Sequence, residues 1–391
     1  MPTRARTLGI TRGTLPTGPL NAITDVPGVL VGHTTITNGT TLHTGVTAIV
    51  PPGFTPNPLT AGGSVDGADG SVDAHAGAER EGEPPGATAA GEGGSAGVAG
   101  KALNAGDGSA GGDVGGVGLA GGARPAFPAA VAVGNGYGKL VGSTQVGELG
   151  VLETPILLTG TLSVFRVADA LVTWLLDRDP SATSLNPVVG ETNDGFLSDI
   201  RRRPIIPEHV FAALDTATSA LPAEGCVGAG TGTAALGFKA GIGTSSRQTS
   251  AGTIGVLVQS NFSGTLTVLG TPIPAPKAAG TPGGNSCMIV VATDLALDSR
   301  QLGRIARRAV FAMGRVGSDY APGSGDYAIA FSTATTSTLP ESTLNTLFQA
   351  TIEATEEALL NSLTMAVDTT GYNGNTRHAV PLEALSALVS G

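Results

Sequence analysis

Residues 283–294 read GGNSCMIVVATD. The glycine pair gives the chain backbone freedom just before Asn285, and Ser286 and Cys287 then open an apolar, β-branched run that marks a strand buried on both faces. A hydroxyl and a thiol at the mouth of such a strand raise the prospect of chemistry. In a Gly-permissive turn the Ser286 hydroxyl can attack the carbonyl of Asn285, and hydrolysis of the resulting ester would leave Ser286 as a new N-terminus. Its α-amine, with an ordinary pKa of about 7.7–8.0, could take the proton from its own hydroxyl, so that one residue supplies both nucleophile and base. On loop composition alone, a serine and a cysteine that merely begin a core strand are the simpler reading. Cys287 would not be terminal after such a cut and would point to the opposite face of the strand, so it is expected to be a small core residue.

Around this stretch lies a chain of 391 residues, 41% hydrophobic, enough to build one large core. A formal net charge of -10 and a pI near 4.9 exclude nucleic acid and anionic membrane surfaces as partners, since both need clustered Lys and Arg. Cys226 and Cys287 cannot make a disulfide framework, and the five histidines fall into no metal-ligand spacing. Reduced thiols and no metal or other cofactor are expected. The first residues, MPTRARTLGITRGTLPTG, have no apolar run behind their basic residues, and no segment approaches the length of a membrane span, so a cytoplasmic protein is expected.

Along the chain, ITDVPGVLVGHTTI and TGVTAIV read as turns and strands. From about 55 to 124, Gly, Ala, Ser, Asp and Glu dominate and large apolar side chains almost vanish, which predicts a flexible insertion. The GGSAG around Ser95 matches the nucleophile-elbow pattern but lacks the flanking strand and helix, and is read as chance. Strand-like runs flank the Gly-rich turn in FPAAVAVGNGYGKLVGS. SVFRVADALVTWLLD spaces Val164, Val167, Leu171, Trp174 and Leu175 as one helix face. The glycines of VGAGTG and KAGIGTSS fit no Walker loop and predict close backbone packing. TIGVLVQSNF reads as a buried strand ending at Asn261. Beyond Ser286, a helix is predicted from about Arg300 to Gly314 with Asp298 or Ser299 as its cap. A second should open at Ser337 to Glu341 and run to about Met365, its seam including Leu347, Phe348 and Ile352. Strands between long amphipathic helices predict one α+β domain of packed sheets covered by helices.

GGNSCMIVVATDLALD, GSGDYAIAFSTA, ATEEALLNSL, ITDVPGVLVGHTTI, TGVTAIV, GVLETPILLT and GIGTSSR together resemble the L-aminopeptidase/D-esterase and β-peptidyl aminopeptidase family of N-terminal nucleophile hydrolases. The likeness spans nearly the whole chain, in order, apart from the insertion. It implies an αββα sandwich made as a single domain and cut into fragments 1–285 and 286–391, paired fragments that assemble as a homo-oligomer, and substrates that are short peptides, amides or esters with a free amino terminus, some with β-amino acids or D-residues. By the same resemblance the cleavage site is Asn285-Ser286 and Ser286 is the nucleophile. Ser324 and Asp326 sit beside the new amine, Asn261 serves the oxyanion, and Glu191 pairs with the substrate ammonium. Asn193 stands where the family usually has an aromatic residue, which puts substrate preference rather than cleavage in question.

Two other readings stay open on sequence. One is an acyltransferase on a similar self-cleaving scaffold, of the ornithine acetyltransferase type; the other is an unprocessed binding or scaffold homologue. The set Ser286, Ser324, Asp326, Asn261 and Glu191 weighs against the second, because five polar residues at those positions have little structural use.

Overall fold

The computed structural model describes residues 1–54, 125–276, 285–334 and 339–390. The predicted insertion and the GGSAG stretch lie outside the described residues, as do most of the loop before Asn285 and the Ser337 and Thr338 expected to open the second long helix.

Eleven strands build two sheets. They are β1 (Leu30–Asn38), β2 (Leu42–Val50), β3 (Phe127–Gly136), β4 (Leu140–Val141), β5 (Val151–Leu152), β6 (Ile156–Gly160), β7 (Val188–Thr192), β8 (Ile242–Gln248), β9 (Thr253–Asn261), β10 (Asn285–Thr293) and β11 (Ser324–Ser332). One sheet has the order β1-β2-β6-β7-β4, the other β8-β9-β10-β11-β3-β5. The helices are α1 (Ser143–Leu149), α2 (Val164–Leu176), α3 (Pro207–Asp215), α4 (Ser299–Arg315), α5 (Leu344–Thr364) and α6 (Leu382–Ser390).

The period of two along β10 explains the layering. Met288, Val290 and Ala292 share a core with Val46, Ala48 and Leu158 of the five-stranded sheet. Cys287, Ile289 and Val291 instead pack with Leu302 and Ile305 of α4 and Leu347 and Ala354 of α5. The central strand is therefore buried on both faces, one against a sheet and one against helices, while α2 and α3 lie on the five-stranded sheet. The order is helices, sheet, sheet, helices: the expected αββα sandwich.

Close approach is what the glycine clusters provide. A Cβ on Gly243 would stand 2.0 Å from the Ala358 carbonyl oxygen of α5, and one on Gly232 2.0 Å from that of His43. Asp298 caps α4, its Oδ1 accepting the Gln301 N–H at 2.6 Å. Two expectations shift. Glu341–Thr343 form a 3-10 turn and α5 proper begins at Leu344. Phe348 and Ile352 are half-buried rather than in the seam, because the Arg304 and Arg308 guanidiniums stack over the Phe348 ring and keep that side at the surface. The helices α1, α3 and α6 were not anticipated; each is short and carries few core residues.

Candidate active site

Ser286 sits at the start of β10 on the face that also carries Met288, between the two sheets, and is 3% exposed. Its Oγ donates to the carbonyl oxygen of Asn285, the residue it would have to attack. The Asn285 N–H is held by the Gly323 carbonyl at 3.3 Å, which ties this junction to the chain entering β11.

Asn261, the last residue of β9, pairs directly with Ser286 in the antiparallel ladder, so the two side chains share a face. Its Oδ1 accepts the Ala234 N–H at 3.1 Å, which fixes the amide's orientation and leaves Nδ2 as its donor side. Ala234 belongs to a tight hairpin in which it pairs with Lys239. The Lys239 ammonium is completely buried and is satisfied by the Gly230 carbonyl at 3.1 Å and by that of Ala240; burial pulls its pKa down.

On the other side of β10, the parallel register sets Ser286 against Gly325 and Cys287 against Asp326. Asp326 therefore faces the α4 layer with Cys287, not the inter-sheet space with Ser286, and its carboxyl meets β10 at the Cys287 N–H. The Ser324 hydroxyl donates to Asp326 Oδ1 at 2.7 Å, while Oδ2 is buried with no hydrogen-bond partner among the described residues. Burial pushes the Asp326 carboxyl up to about 6, against the opposing pull of the Ser324 hydroxyl and the Cys287 N–H. Burial, and then the Asp326 charge, raise the Cys287 thiol well above its usual range, so it stays protonated in the core, as expected of a packing residue.

Glu191 is the penultimate residue of β7 and 2% exposed. Its Oε1 accepts both the Lys139 backbone N–H, at 3.0 Å, and the Lys139 ammonium, at 3.1 Å; its Oε2 is buried with no partner among the described residues. The turn Gly136–Lys139 brings this pair to the nucleophile's strand neighbour. A Cβ placed on Gly138 would lie 3.1 Å from the Gly325 Cα and 3.3 Å from Glu191 Oε1. Tyr327 pins the turn by donating to the Gly136 and Gly138 carbonyls, each at 3.1 Å. Asn193 is not drawn into this group: half-buried, it turns its Oδ1 back to the Gly195 N–H at 2.9 Å.

Lys139, Tyr327 and the Ala234 N–H are thus parts of the site that sequence reading passed over. The only available signal was the GNGYGK turn itself, a glycine run ending in a cation between two strands. Among the described residues no group of three or more His, Cys, Asp or Glu is arranged to hold a metal ion.

A serine hydroxyl presented between the two sheets of an αββα sandwich, at the first residues of a central strand, is the arrangement of an N-terminal nucleophile hydrolase. The chain belongs to peptidase family S58, whose model matches residues 21–83 and 118–377. It is 38% identical to the beta-peptidyl aminopeptidase BapA of Sphingosinicella microcystinivorans over 65% of this chain and 74% of that one. To BapA of Sphingosinicella xenopeptidilytica it is 34% identical over 99% of this chain and 90% of that one. The solved L-aminopeptidase D-Ala-esterase/amidase of Ochrobactrum anthropi, described as a variant of the N-terminal nucleophile hydrolase fold, superposes with a TM-score of 0.76 at 30% identity, over all of this chain and 98% of that one. This chain is accordingly a hydrolase, an aminopeptidase or amidase of that fold.

Proposed function

We propose that the chain cuts itself between Asn285 and Ser286 and that Ser286, as the new N-terminus, removes N-terminal residues, β-amino acids among them, from short peptides, amides and esters with a free amino group. The observation that carries this is the Ser286 hydroxyl against the Asn285 carbonyl, with the Asn261 amide directly across the ladder. In cleavage the hydroxyl adds to that carbonyl, the acyl group moves from nitrogen to oxygen, and water releases the ester. In turnover the same hydroxyl attacks the substrate carbonyl and the free α-amine takes its proton. Asn261 would donate to the developing oxyanion, a contribution of about 3–4 kcal/mol for a fixed donor. The unpartnered Oδ2 of Asp326, steadied through Ser324, supports a role in holding the amine that cleavage creates. The unpartnered Oε2 of Glu191 supports capture of the substrate ammonium. Asn193, turned back on its own loop, supplies no aromatic wall to the substrate pocket. The family likeness further supports a homo-oligomer of paired fragments working in the cytoplasm; no helix among the described residues is long and apolar enough to cross a membrane.

The test is intact mass and N-terminal sequencing of the wild type beside Ser286→Ala. Fragments of roughly 28 and 10 kDa, by residue count, with the smaller one beginning at Ser286, are expected only in the wild type. A whole chain in both would overturn self-processing. Assay of the cut protein on β-alanyl and L-alanyl p-nitroanilides, with and without an added acyl acceptor, then separates hydrolysis from acyl transfer.

A further inference from the structure

The turn after β3 puts a cation where an aminopeptidase needs only an anion. Lys139 holds Glu191 Oε1 through both its backbone N–H and its ammonium, and the ammonium also donates to Thr161 Oγ1 at 2.8 Å. An ammonium has three N–H donors, of which two are used among the described residues, and the Lys139 side chain is 39% exposed against 2% for that of Glu191. The second carboxylate oxygen, Oε2, is buried with no partner among the described residues. An unsatisfied buried acceptor is costly and points to a ligand that completes it. The site therefore offers, side by side, one open acceptor on an acid and one open donor on a base.

Charge arithmetic restricts what fits. Lys139 already neutralises Glu191, and Asp194, a second buried acid close enough to feel Glu191, lies within electrostatic reach of the Lys239 ammonium, which offsets its charge without an ion pair. A substrate that brought only its ammonium to Oε2 would set a second cation against a single carboxylate. A substrate whose amino-bearing carbon also carries a carboxylate would close the set: ammonium on Oε2, carboxylate on Lys139 Nζ, with charges alternating around the group.

Resting on the reading of Ser286 as an aminopeptidase nucleophile, we propose that the preferred substrate residue is a β-linked aspartyl (isoaspartyl) residue at the amino end of a short peptide, with Lys139 as the residue that selects it. In that residue the carbon bearing the free amino group also bears the free carboxylate, and the scissile carbonyl lies one carbon further on, as in any β-amino acyl residue. Glu191 and Lys139 would grip the two charges while the carbonyl reaches past Gly138 and Gly325 toward Ser286. Hydrolysis adds one water across the β-amide and releases free aspartate and the shortened peptide.

The test compares processed wild type, Lys139→Met and Lys139→Arg on isoaspartyl-leucine and on β-homoalanyl-leucine, which has a methyl group in place of the carboxylate. The wild type is expected to favour isoaspartyl-leucine at least tenfold in kcat/KM, mostly through KM. Lys139→Met should reverse that preference, losing at least thirtyfold on the charged substrate and gaining on the methyl one as the competing cation is removed, while Lys139→Arg keeps the preference. Wild type that cleaves the methyl substrate as well as the charged one or better, or a preference that survives in Lys139→Met, overturns this selection and leaves the aminopeptidase reading standing. Failure of cut wild type on both dipeptides and on β-alanyl and L-alanyl p-nitroanilides overturns both.

Discussion

Two groups of buried acids in this molecule are treated in opposite ways. Where the N-terminal segment crosses β8 and α5, Glu224, Glu353, Glu356 and Glu357 each have partners for both carboxylate oxygens, drawn from Arg4, Arg6, Arg12, Arg247, Arg315 and nearby amides. At the candidate active site, Glu191 and Asp326 each have one oxygen satisfied and one left bare among the described residues. Burial is comparable in the two places, so it does not account for the difference. The first group finds its partners within the chain and belongs to the architecture, although burial still pushes the Glu224 carboxyl up to about 7. The second is complete only when something else arrives: a substrate at Glu191, a newly made amine at Asp326.

The sharpest way to break this contrast is to neutralise an acid of the second group and to remove the cation that serves the first. Asp326→Asn should lower kcat/KM of the processed enzyme by about 10²–10⁴, the usual reach of a group that governs proton transfer, with the fold intact by circular dichroism; unchanged activity would remove Asp326 from the machinery. Arg247→Met, which strips the fully buried cation from Glu353 and Glu357, should cost about 3–5 kcal/mol in urea unfolding, measured in the Ser286→Ala background so that the chain stays whole. Activity per folded molecule, read in the processed form, should stay within about twofold, as for a site remote from the chemistry. A kinetic defect larger than the stability defect would mean the two regions are coupled. Glu191→Gln should raise KM by roughly ten- to a hundredfold, the value of a hydrogen bond to a charged group, with little change in kcat; an equal fall in kcat would move Glu191 from binding to chemistry.

The pH dependence of stability carries the clearest sign. Asp326 has a folded-state pKa raised from 3.8 to about 6 by burial, so its ionisation works against folding: the penalty is absent below the unfolded value, grows as pH rises from there to about 6, and is complete above it. Asp326→Asn in the uncut chain should therefore gain roughly 2–3 kcal/mol at pH 7, fading toward pH 4. Glu357 is the reverse case. Burial pushes its carboxyl up, but Arg6, Arg247 and Asn21 together outweigh that and leave it lowered from 4.5. Its contribution is present above the unfolded value and is lost as pH falls through the folded one, so Glu357→Gln should destabilise at pH 7 and less so in acid. Unfolding curves at both pH values that change in the same direction for the two variants would erase the distinction.

How far the sequence foretold this depends on the range of each contact. The burial of β10 on both faces, the opposite orientation of Ser286 and Cys287, the Asp298 cap and the buried face of α2 all follow from periods of two and 3.6 residues and were legible. Asn261 was placed by resemblance, and its pairing with Ser286 follows from a ladder between strands separated by a long loop, which no local pattern encodes. Lys139 was invisible because its meaning comes from Glu191, far along the chain in a different strand. α3 was missed because only Val210, Ala213 and Leu214 are buried along it, too few to draw a stripe.

The place of β10 and β11 in their sheet has a consequence for the life of the protein after a cut. They are neighbours at its centre, with β9 on one flank and β3 on the other, both from the segment before residue 285. A nick after Asn285 would leave the second piece hydrogen-bonded along two separate ladders to the first, like a plank set between two others. The pieces would be inherited as a couple: neither could be swapped with that of another molecule without unravelling the sheet, and a gene divided at this codon would encode two halves that have to find each other while still unfolded.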